Sequence, residues 1–114
     1  LTFKENCPDT RNSKVADIVK HLNEYGIEPS VVDPWANDEE AVKEYNIKLS
    51  KFEDINNADC IIIAVAHDEF RQLDIKKLDR MFKKCDNSEK VIVDVKGICD
   101  KNKIEQEGYR YWRL

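Results

Sequence analysis

The stretch Cys60-Ile-Ile-Ile-Ala-Val-Ala66 gives the strongest strand signal in the chain and decides the fold class. Its apolar, largely β-branched residues do not alternate with polar ones. A continuous run of this kind predicts a central strand of a parallel sheet, buried on both faces. Under that prediction Cys60 is a small core residue.

Further strand patterns lie on either side of this stretch. Residues 91–95 predict a second buried strand, and residues 109–114 predict a final alternating strand. Upstream, residues 27–32 predict a strand, and the apolar residues 1–3 read as the end of another. Residues 47–49 alternate as in a short strand.

Helical patterns separate these strands. Apolar residues recur at helical spacing over residues 13–25, and a short acidic helix is expected over residues 37–45. Two more helices are expected, one after residue 74 and one ending at Gly108. Each predicted helix begins at a residue that favours the N-cap position: Asn12 or Ser13 for the first, then Asn37, Asp74 and Asp100. Strands alternating with helices predict an α/β fold, a three-layer Rossmann-like parallel sheet flanked by helices.

Length and termini suggest one domain from a larger protein. A chain of 114 residues is large enough for one core and too small for two. The only methionine is Met81, and residues 1–3 are shorter than a typical strand. We therefore expect residues 1–114 to form a single domain of a longer protein, with its first strand truncated.

Composition argues against several function classes. The net charge is −4, and 37% of residues carry charges of both signs, which does not resemble a basic nucleic-acid-binding surface. No apolar run approaches membrane-spanning length, and no signal peptide is visible. The four cysteines lack CxxC spacing, so we expect reduced thiols and a cytoplasmic location.

The chain also lacks the common phosphate-binding, catalytic and metal-binding motifs. Its three glycines form neither GxGxxG nor a P-loop, so any phosphate must be held by cationic side chains and loop backbone. No serine or cysteine stands at a spacing typical of an activated nucleophile. No cluster of His, Cys, Asp and Glu has metal-ligand spacing. We therefore predict no catalytic residue and no metal site.

Lys4 and Arg11 are the first candidates for ligand binding. Both lie on the loop between residues 1–3 and the first helix. The carboxyl end of a parallel strand and a helix N-terminus are favoured positions for anionic ligands, and two cations suit phosphates. The same two side chains could equally be solvated surface charges.

Asp33, His67 and Lys96 also follow predicted strands, so the topology brings them to the edge that Lys4 occupies. Each has a simpler interpretation. Asp33 precedes Pro34 and could close a turn. His67 could cap a helix or lie at the edge of the core, and Lys96 could be an ordinary surface residue.

Four motifs together resemble a known family, the C-terminal UDP-binding domain of the UDP-glucose/GDP-mannose dehydrogenases. They are Leu-Thr-Phe-Lys-Glu-Asn-Cys-Pro-Asp-Thr-Arg-Asn-Ser (1–13), Val-Asp-Pro-Trp-Ala (32–36), Ala-Val-Ala-His-Asp-Glu-Phe (64–70) and Val-Asp-Val-Lys-Gly (93–97). The resemblance runs along the whole chain, and its first motif is the most specific.

The resemblance implies a larger enzyme with an N-terminal NAD-binding domain and a central helix that mediates dimerisation, so the parent is expected to be a homodimer or higher oligomer. Such enzymes oxidise the C6 hydroxyl of a nucleotide sugar to a carboxylate in two NAD-dependent steps, through a thiohemiacetal on a cysteine. None of the four cysteines here lies in that cysteine's motif. The isolated domain is therefore expected to be inactive.

The resemblance also implies residue roles. The family's Phe-Lys pair, which contacts the UDP-sugar, falls on Phe3 and Lys4. Its arginine seven residues further on, which reaches the NAD held by the other domain, falls on Arg11. A basic residue that reaches the substrate falls on Lys96, where glucose-type members carry arginine.

The motif around His67 resembles members that act on UDP-N-acetylhexosamines more than it resembles UDP-glucose enzymes. It therefore favours a UDP-N-acetylhexosamine 6-dehydrogenase of capsule or other surface polysaccharide biosynthesis. The alternative is a non-catalytic Rossmann-like interaction or regulatory module that has kept the fold and lost the ligand.

Overall fold

The computed structural model describes all residues from Leu1 to Leu114. Its helices are α1 (Lys14–Glu24), α2 (Asp38–Tyr45), α3 (Asp68–Arg71), α4 (Ile75–Met81) and α5 (Lys101–Gln106). Its strands are β1 (Cys60–Ile63), β2 (Val91–Asp94) and β3 (Arg110–Arg113). Two single 3₁₀ turns cover Phe52–Asp54 and Asn87–Glu89.

The three strands form one parallel sheet in the order β1-β2-β3. In its register Ile62 lies opposite Val93, which lies opposite Trp112. Helices α3 and α4 connect β1 to β2, and α5 connects β2 to β3. The chain is therefore α/β with a Rossmann-like parallel sheet flanked by helices, which confirms the predicted fold class.

One face of this sheet forms the main hydrophobic core. The buried members of this core are Ile61, Ile63, Leu78, Phe82, Ile92, Ile104 and Tyr109. Two of them, Leu78 and Ile104, come from α4 and α5, so both helices pack against the same face. Burial of these side chains is the largest stabilising contribution to this part of the molecule.

The prediction that the residue 60–66 strand is buried on both faces is wrong. Within β1, Cys60 is exposed and the Ile62 side chain is 41% exposed, whereas Ile61 and Ile63 are buried. Successive strand residues point to opposite faces, and α4 and α5 cover only one of them. Cys60 is therefore not a core residue, and the ladder ends at residue 63.

The first two predicted strands also differ from expectation. Residues 1–3 and 27–32 form no ladder, and this region contains only one isolated parallel bridge, between Val31 and Leu49. The backbone nitrogens of Leu1 and Thr2 instead donate to the Asp33 carboxylate. The Thr2 N–H, bonded to a side chain, is therefore not available to a neighbouring strand.

These N-terminal residues are nevertheless packed. They build a second, smaller core from Leu1, Val19, Val31, Ala41 and Ile47. Helices α1 and α2 contribute Val19 and Ala41 to it. The short strand predicted at residues 47–49 does not form: Leu49 makes only the isolated bridge with Val31, although Ile47 is buried.

The predicted helix starts are confirmed. Of the two candidates for the first helix, Ser13 is the N-cap. Four N-cap side chains each accept a hydrogen bond from a backbone N–H three residues later, at 2.9–3.2 Å: Ser13, Asn37, Asp74 and Asp100. Such caps satisfy donors that a helix leaves unpaired in its first turn. The short helix α3 was not predicted. No helix in the structure has the length and apolar character required to cross a membrane.

Candidate functional site

Three buried polar side chains meet where the segments ending near residues 2, 33 and 67 come together. Thr2 is 2% exposed, Asp33 6% and His67 0%. Buried polar groups are costly unless they are hydrogen-bonded, and here every one has partners. The sequence placed Asp33 and His67 at one edge, and the structure brings them into contact.

Asp33 is the centre of this network. Its Oδ2 accepts from the backbone nitrogens of Leu1 (2.7 Å) and Thr2 (2.9 Å) and from the Thr2 hydroxyl (3.1 Å). Its Oδ1 accepts from the backbone N–H of Trp35 at 2.9 Å and lies 3.1 Å from His67 Nε2. Asp33 therefore closes a turn, as the simpler interpretation held, and also joins two distant segments.

These donors determine the charge state of Asp33. Burial by itself raises the pKa of this carboxyl, but the hydrogen bond and positive charge of the Leu1 amino group outweigh it. Together with the N–H groups of Thr2 and Trp35, they lower the pKa of Asp33 from 3.8 to about 2. The charge of the Leu1 amino group contributes only while Leu1 is the first residue of the chain.

His67 connects the network to the loop that follows Thr2. Its Nε2 lies 2.8 Å from the Thr2 hydroxyl, and its Nδ1 accepts the backbone N–H of Asn6 at 2.8 Å. The Asn6 side chain in turn accepts the backbone N–H of Asp68 at 3.0 Å. His67 caps α3 without a side-chain cap bond, so its ring serves the distant loop and not its own helix.

The loop after Thr2 carries Phe3 and Lys4 on its outside. The Phe3 side chain is 58% exposed, and Lys4 is exposed with no side-chain hydrogen bond or ion pair to another residue. The backbone N–H of Phe3 donates to the Asp9 carbonyl at 2.7 Å and so closes the loop at its base. The predicted substrate lysine is thus free at the surface of an internally bonded loop.

Arg11 occupies the same loop but is paired within it. Its Nε and Nη2 donate to the two oxygens of Asp9 at 3.0 and 2.9 Å, and its backbone N–H also donates to Asp9. The Arg11 side chain hydrogen bonds are the main reason that the pKa of Asp9 falls from 3.8 to about 2. The guanidinium is 80% exposed and lies one residue from Asn12, whose φ is 54°.

Lys96 lies two residues beyond the end of β2 and is exposed. No hydrogen bond or ion pair links its side chain to Lys4, Arg11 or His67. The structure therefore places Lys96 just past the carboxyl end of β2, without a hydrogen bond or ion pair to the other candidates.

Sequence reasoning missed the part played by Trp35. Its indole ring is stacked near His67, with ring centroids 6.1 Å apart and planes 26° from parallel. Its Nε1–H donates to the two carboxylate oxygens of Glu69 at 2.9 and 3.1 Å. Half-exposed, Trp35 forms an aromatic wall beside the network; its position just after Asp33-Pro34 was the only signal in the sequence.

A second buried carboxylate, Asp94, was also missed. It accepts the backbone N–H groups of Ile98 (3.1 Å) and Cys99 (2.8 Å) and the Tyr111 hydroxyl (2.6 Å). Burial opposes the ionisation of Asp94, but these hydrogen bonds leave its pKa lowered. Because all its acceptor capacity faces the protein, Asp94 fixes the loop that carries Lys96.

The remaining chemistry of this edge is limited. No group of three or more His, Cys, Asp or Glu side chains is placed to hold a metal ion. Cys99, the cysteine nearest the loop after β2, is a poor nucleophile because burial, helped by Asp94, raises the pKa of its thiol to about 12. The glycines lie in three separate turns, so no glycine-rich loop is available to a dinucleotide.

Comparison with known proteins gives a family match. Residues 1–101 match the model of the UDP binding domain of the UDP-glucose/GDP-mannose dehydrogenase family. The chain is 44% identical to a UDP-N-acetyl-D-glucosamine 6-dehydrogenase of Pseudomonas aeruginosa, over 92% of this chain and 24% of that protein. It is 35% identical to Protein CapL of Staphylococcus aureus (100% and 26%) and 34% identical to a UDP-N-acetyl-D-mannosamine dehydrogenase of Methanococcus vannielii (96% and 24%). The chain thus spans about a quarter of the length of these relatives.

Proposed function

Because this chain belongs to the UDP-glucose/GDP-mannose dehydrogenase family, as its UDP binding domain, we propose that it forms the UDP-sugar-binding part of an NAD-dependent 6-dehydrogenase. The longer enzyme oxidises the C6 hydroxyl of a UDP-N-acetylhexosamine to a carboxylate in the cytoplasm, for surface polysaccharide synthesis. It works as a homodimer or higher oligomer, with the catalytic cysteine and the NAD-binding domain outside these 114 residues. The relatives named for UDP-N-acetylated glucosamine and mannosamine support this substrate class.

One observation supports the proposal more than any other. Lys4 stands exposed and unpaired on a loop whose backbone is bonded to the protein on both sides, at Thr2 and at Asn6. An ammonium group held in this way can meet a diphosphate without a competing partner to displace. Charge-assisted hydrogen bonds to phosphate are among the strongest that a protein makes.

The other candidates take roles that suit their positions. Phe3, largely exposed next to Lys4, offers an aromatic face to the nucleotide sugar. Lys96 adds a second positive charge from the loop that Asp94 fixes, and it meets the substrate when the cleft with the rest of the enzyme closes. Closure of such a cleft also keeps water away from the reacting carbon.

NAD supplies the hydride acceptor when it is bound to the longer enzyme. This chain has no glycine-rich loop that could bind the NAD phosphates, because its three glycines lie in separate turns. It contributes one contact to NAD, the exposed guanidinium of Arg11. Asp9 holds that guanidinium as a planar fork, ready for a phosphate or carboxamide oxygen from across the cleft. The fit is that of an accessory contact.

Replacement of Lys4 by alanine tests the site. In the longer dehydrogenase, Lys4→Ala is expected to lower kcat/KM for the UDP-sugar about 10- to 100-fold, since a hydrogen bond to a charged group is worth roughly 1.5–3 kcal/mol. Steady-state kinetics with UDP-N-acetylglucosamine and UDP-N-acetylmannosamine measure the loss. The matched control is Lys20→Ala on α1, which removes the same charge from an exposed position remote from the loop.

Wild-type kinetics in the Lys4→Ala enzyme would refute the site assignment. On the 114-residue chain itself, UDP titrated to millimolar concentration should shift the backbone amide resonances of Phe3 and Lys4. If UDP shifts no resonance, the interaction-module alternative gains support.

A further inference from the structure

His67 is a fully buried titratable side chain in the candidate site, and none of the roles proposed above uses it. It is 0% exposed, yet both ring nitrogens contact groups more than 30 residues away in sequence. Trp35 and Phe70 flank its ring, with centroids at 6.1 and 5.2 Å. A side chain enclosed in this way cannot touch a ligand, so any contribution it makes must act through its neighbours.

The hydrogen bonds determine where the ring proton lies. A backbone N–H can only donate, so the 2.8 Å contact from Asn6 requires a lone pair on His67 Nδ1. The proton of the neutral ring is therefore on Nε2, which faces the Thr2 hydroxyl at 2.8 Å and Asp33 Oδ1 at 3.1 Å. The Thr2 hydroxyl then donates onward to Asp33 Oδ2 at 3.1 Å. Every donor in this network has an acceptor.

The group that His67 holds is the turn of the Lys4 loop. Asn6 has a φ of 52°, a left-handed conformation that costs energy for a residue other than glycine. His67 and Asp68 hold its backbone N–H and its side-chain oxygen respectively. Thr2, on the other side of Lys4, is bonded to Asp33 and His67. One ring thus fixes the chain on both sides of the lysine.

We propose that His67 is a positioning residue for nucleotide binding: in its Nε2–H form it holds the Asn6 turn and so keeps the Lys4 loop in its binding conformation before the ligand arrives. This inference rests on the proposed UDP-binding role of the loop. A loop that is already ordered loses less conformational entropy on binding, and its affinity for the ligand is therefore higher. His67 itself contacts neither substrate nor cofactor.

Two substitutions of His67 test the roles of its two ring nitrogens separately. His67→Asn places an amide oxygen near the position of Nδ1, where it can still accept the Asn6 N–H. His67→Gln extends its amide towards the position of Nε2 and leaves the Asn6 N–H without an acceptor. Asn6→Gly is a milder third variant, because it keeps the N–H and the positive φ and removes only the bond to Asp68.

The experiment follows the 114-residue chain by NMR during titration with UDP. We expect His67→Gln to weaken UDP binding about tenfold and to abolish the hydrogen-exchange protection of the Asn6 amide. His67→Asn should keep that protection and bind within about threefold of wild type. Asn6→Gly should fall between them. Long-range proton–nitrogen correlation in the wild-type chain should show the ring proton on Nε2.

The outcomes distinguish this inference from the function on which it rests. If UDP binds the wild-type chain and Lys4→Ala weakens binding, but His67→Gln binds like wild type, the positioning role is overturned and the function stands. A ring proton found on Nδ1 overturns it without any substitution, even if His67→Gln fails to fold. If UDP does not bind the wild-type chain at all, the positioning role is overturned, and the kinetics of Lys4→Ala in the longer dehydrogenase decide separately whether the proposed function stands.

Discussion

Residues 60–114 are joined by a continuous three-stranded parallel ladder, whereas residues 1–50 contain a single isolated bridge, between Val31 and Leu49. The first region buries seven apolar side chains in one cluster, and the second buries five. What the second region has instead is a buried carboxylate, Asp33, that accepts hydrogen bonds from the backbone nitrogens of residues 1, 2 and 35. The region built around Asp33 is also the region that carries Lys4 and Arg11.

The comparison indicates that the two regions of the chain have different structural roles. The ladder region is a rigid base, and its polar side chains stabilise that base. Asp79 Oδ1, for example, accepts hydrogen bonds from Lys90 Nζ at 2.7 Å and from the Tyr109 hydroxyl at 2.5 Å. The N-terminal region supplies loops whose shape depends on side-chain hydrogen bonds. His67, near the start of the first region, joins it to Thr2 and Asn6 of the N-terminal region.

The largest effect is expected from the centre of the ladder. Ile92 is 0% exposed in β2, and Ile92→Ala should lower the free energy of unfolding by about 2–5 kcal/mol, because it removes buried methyl groups and leaves a cavity. Val19→Ala, in the smaller core, removes two methyl groups and should cost about 1.5 kcal/mol. Urea unfolding measures both. Equal losses in the free energy of unfolding would contradict the view that the core beneath the ladder is the main stabilising part of the molecule.

The second prediction concerns the contribution of Asp33 to the free energy of unfolding at acid pH. The folded-state pKa of Asp33 is about 2, below the usual value of 3.8, so Asp33 stabilises the fold above about pH 4 and loses this contribution as the pH falls towards 2. The loss is on the order of 2 kcal/mol. Asp33→Asn should be less stable at pH 7 and should show a flatter stability curve between pH 4 and 2.

Unfolding of both proteins by urea at a series of pH values provides the measurement. Asp38→Asn, at an exposed position in the first turn of α2, is the matched control for the loss of one carboxylate. An Asp33→Asn chain that keeps the full acid dependence of the wild type would show that Asp33 does not hold the N-terminal region together.

The smallest effect on stability is expected in the N-terminal region, at the end of α2. Asn46 ends α2 with a φ of 55°, so Asn46→Ala should cost about 1 kcal/mol through backbone strain. Asn46→Gly, which tolerates that conformation, should lie within about 0.5 kcal/mol of wild type. Thermal unfolding followed by circular dichroism compares the two. A loss in Asn46→Gly as large as that in Asn46→Ala would point to the side chain and not to the backbone.

Local sequence patterns predicted what local interactions determine. The starts of α1, α2, α4 and α5 were visible because a cap such as Ser13 bonds to a backbone N–H only three residues away. The start of α3 was not visible, since its N-cap residue, His67, makes no such bond. The fold class followed from alternating strands and helices. The exposure of Ile62 was not predictable, because apolar composition does not reveal how many faces of a sheet its own helices will cover.

The candidate site was predictable only as a set of positions. Strand-end topology placed Asp33 and His67 on the correct edge, and the family resemblance named Lys4. His67 is hydrogen-bonded to Asn6 and to Thr2, which lie 61 and 65 positions away in the sequence. The periodicity of a sequence gives no information about contacts between such distant residues. The left-handed turn at Asn6 makes sense only once its partners are known.

The stacking of Trp35 beside His67 gives the molecule a built-in optical probe. The chain contains two tryptophans, and the other, Trp112, lies 64% exposed on β3. In a Trp112→Phe background, all indole fluorescence would come from the ring that touches His67 and Glu69. Changes in emission intensity and wavelength would then report, in real time and without labelling, when the surroundings of His67 rearrange.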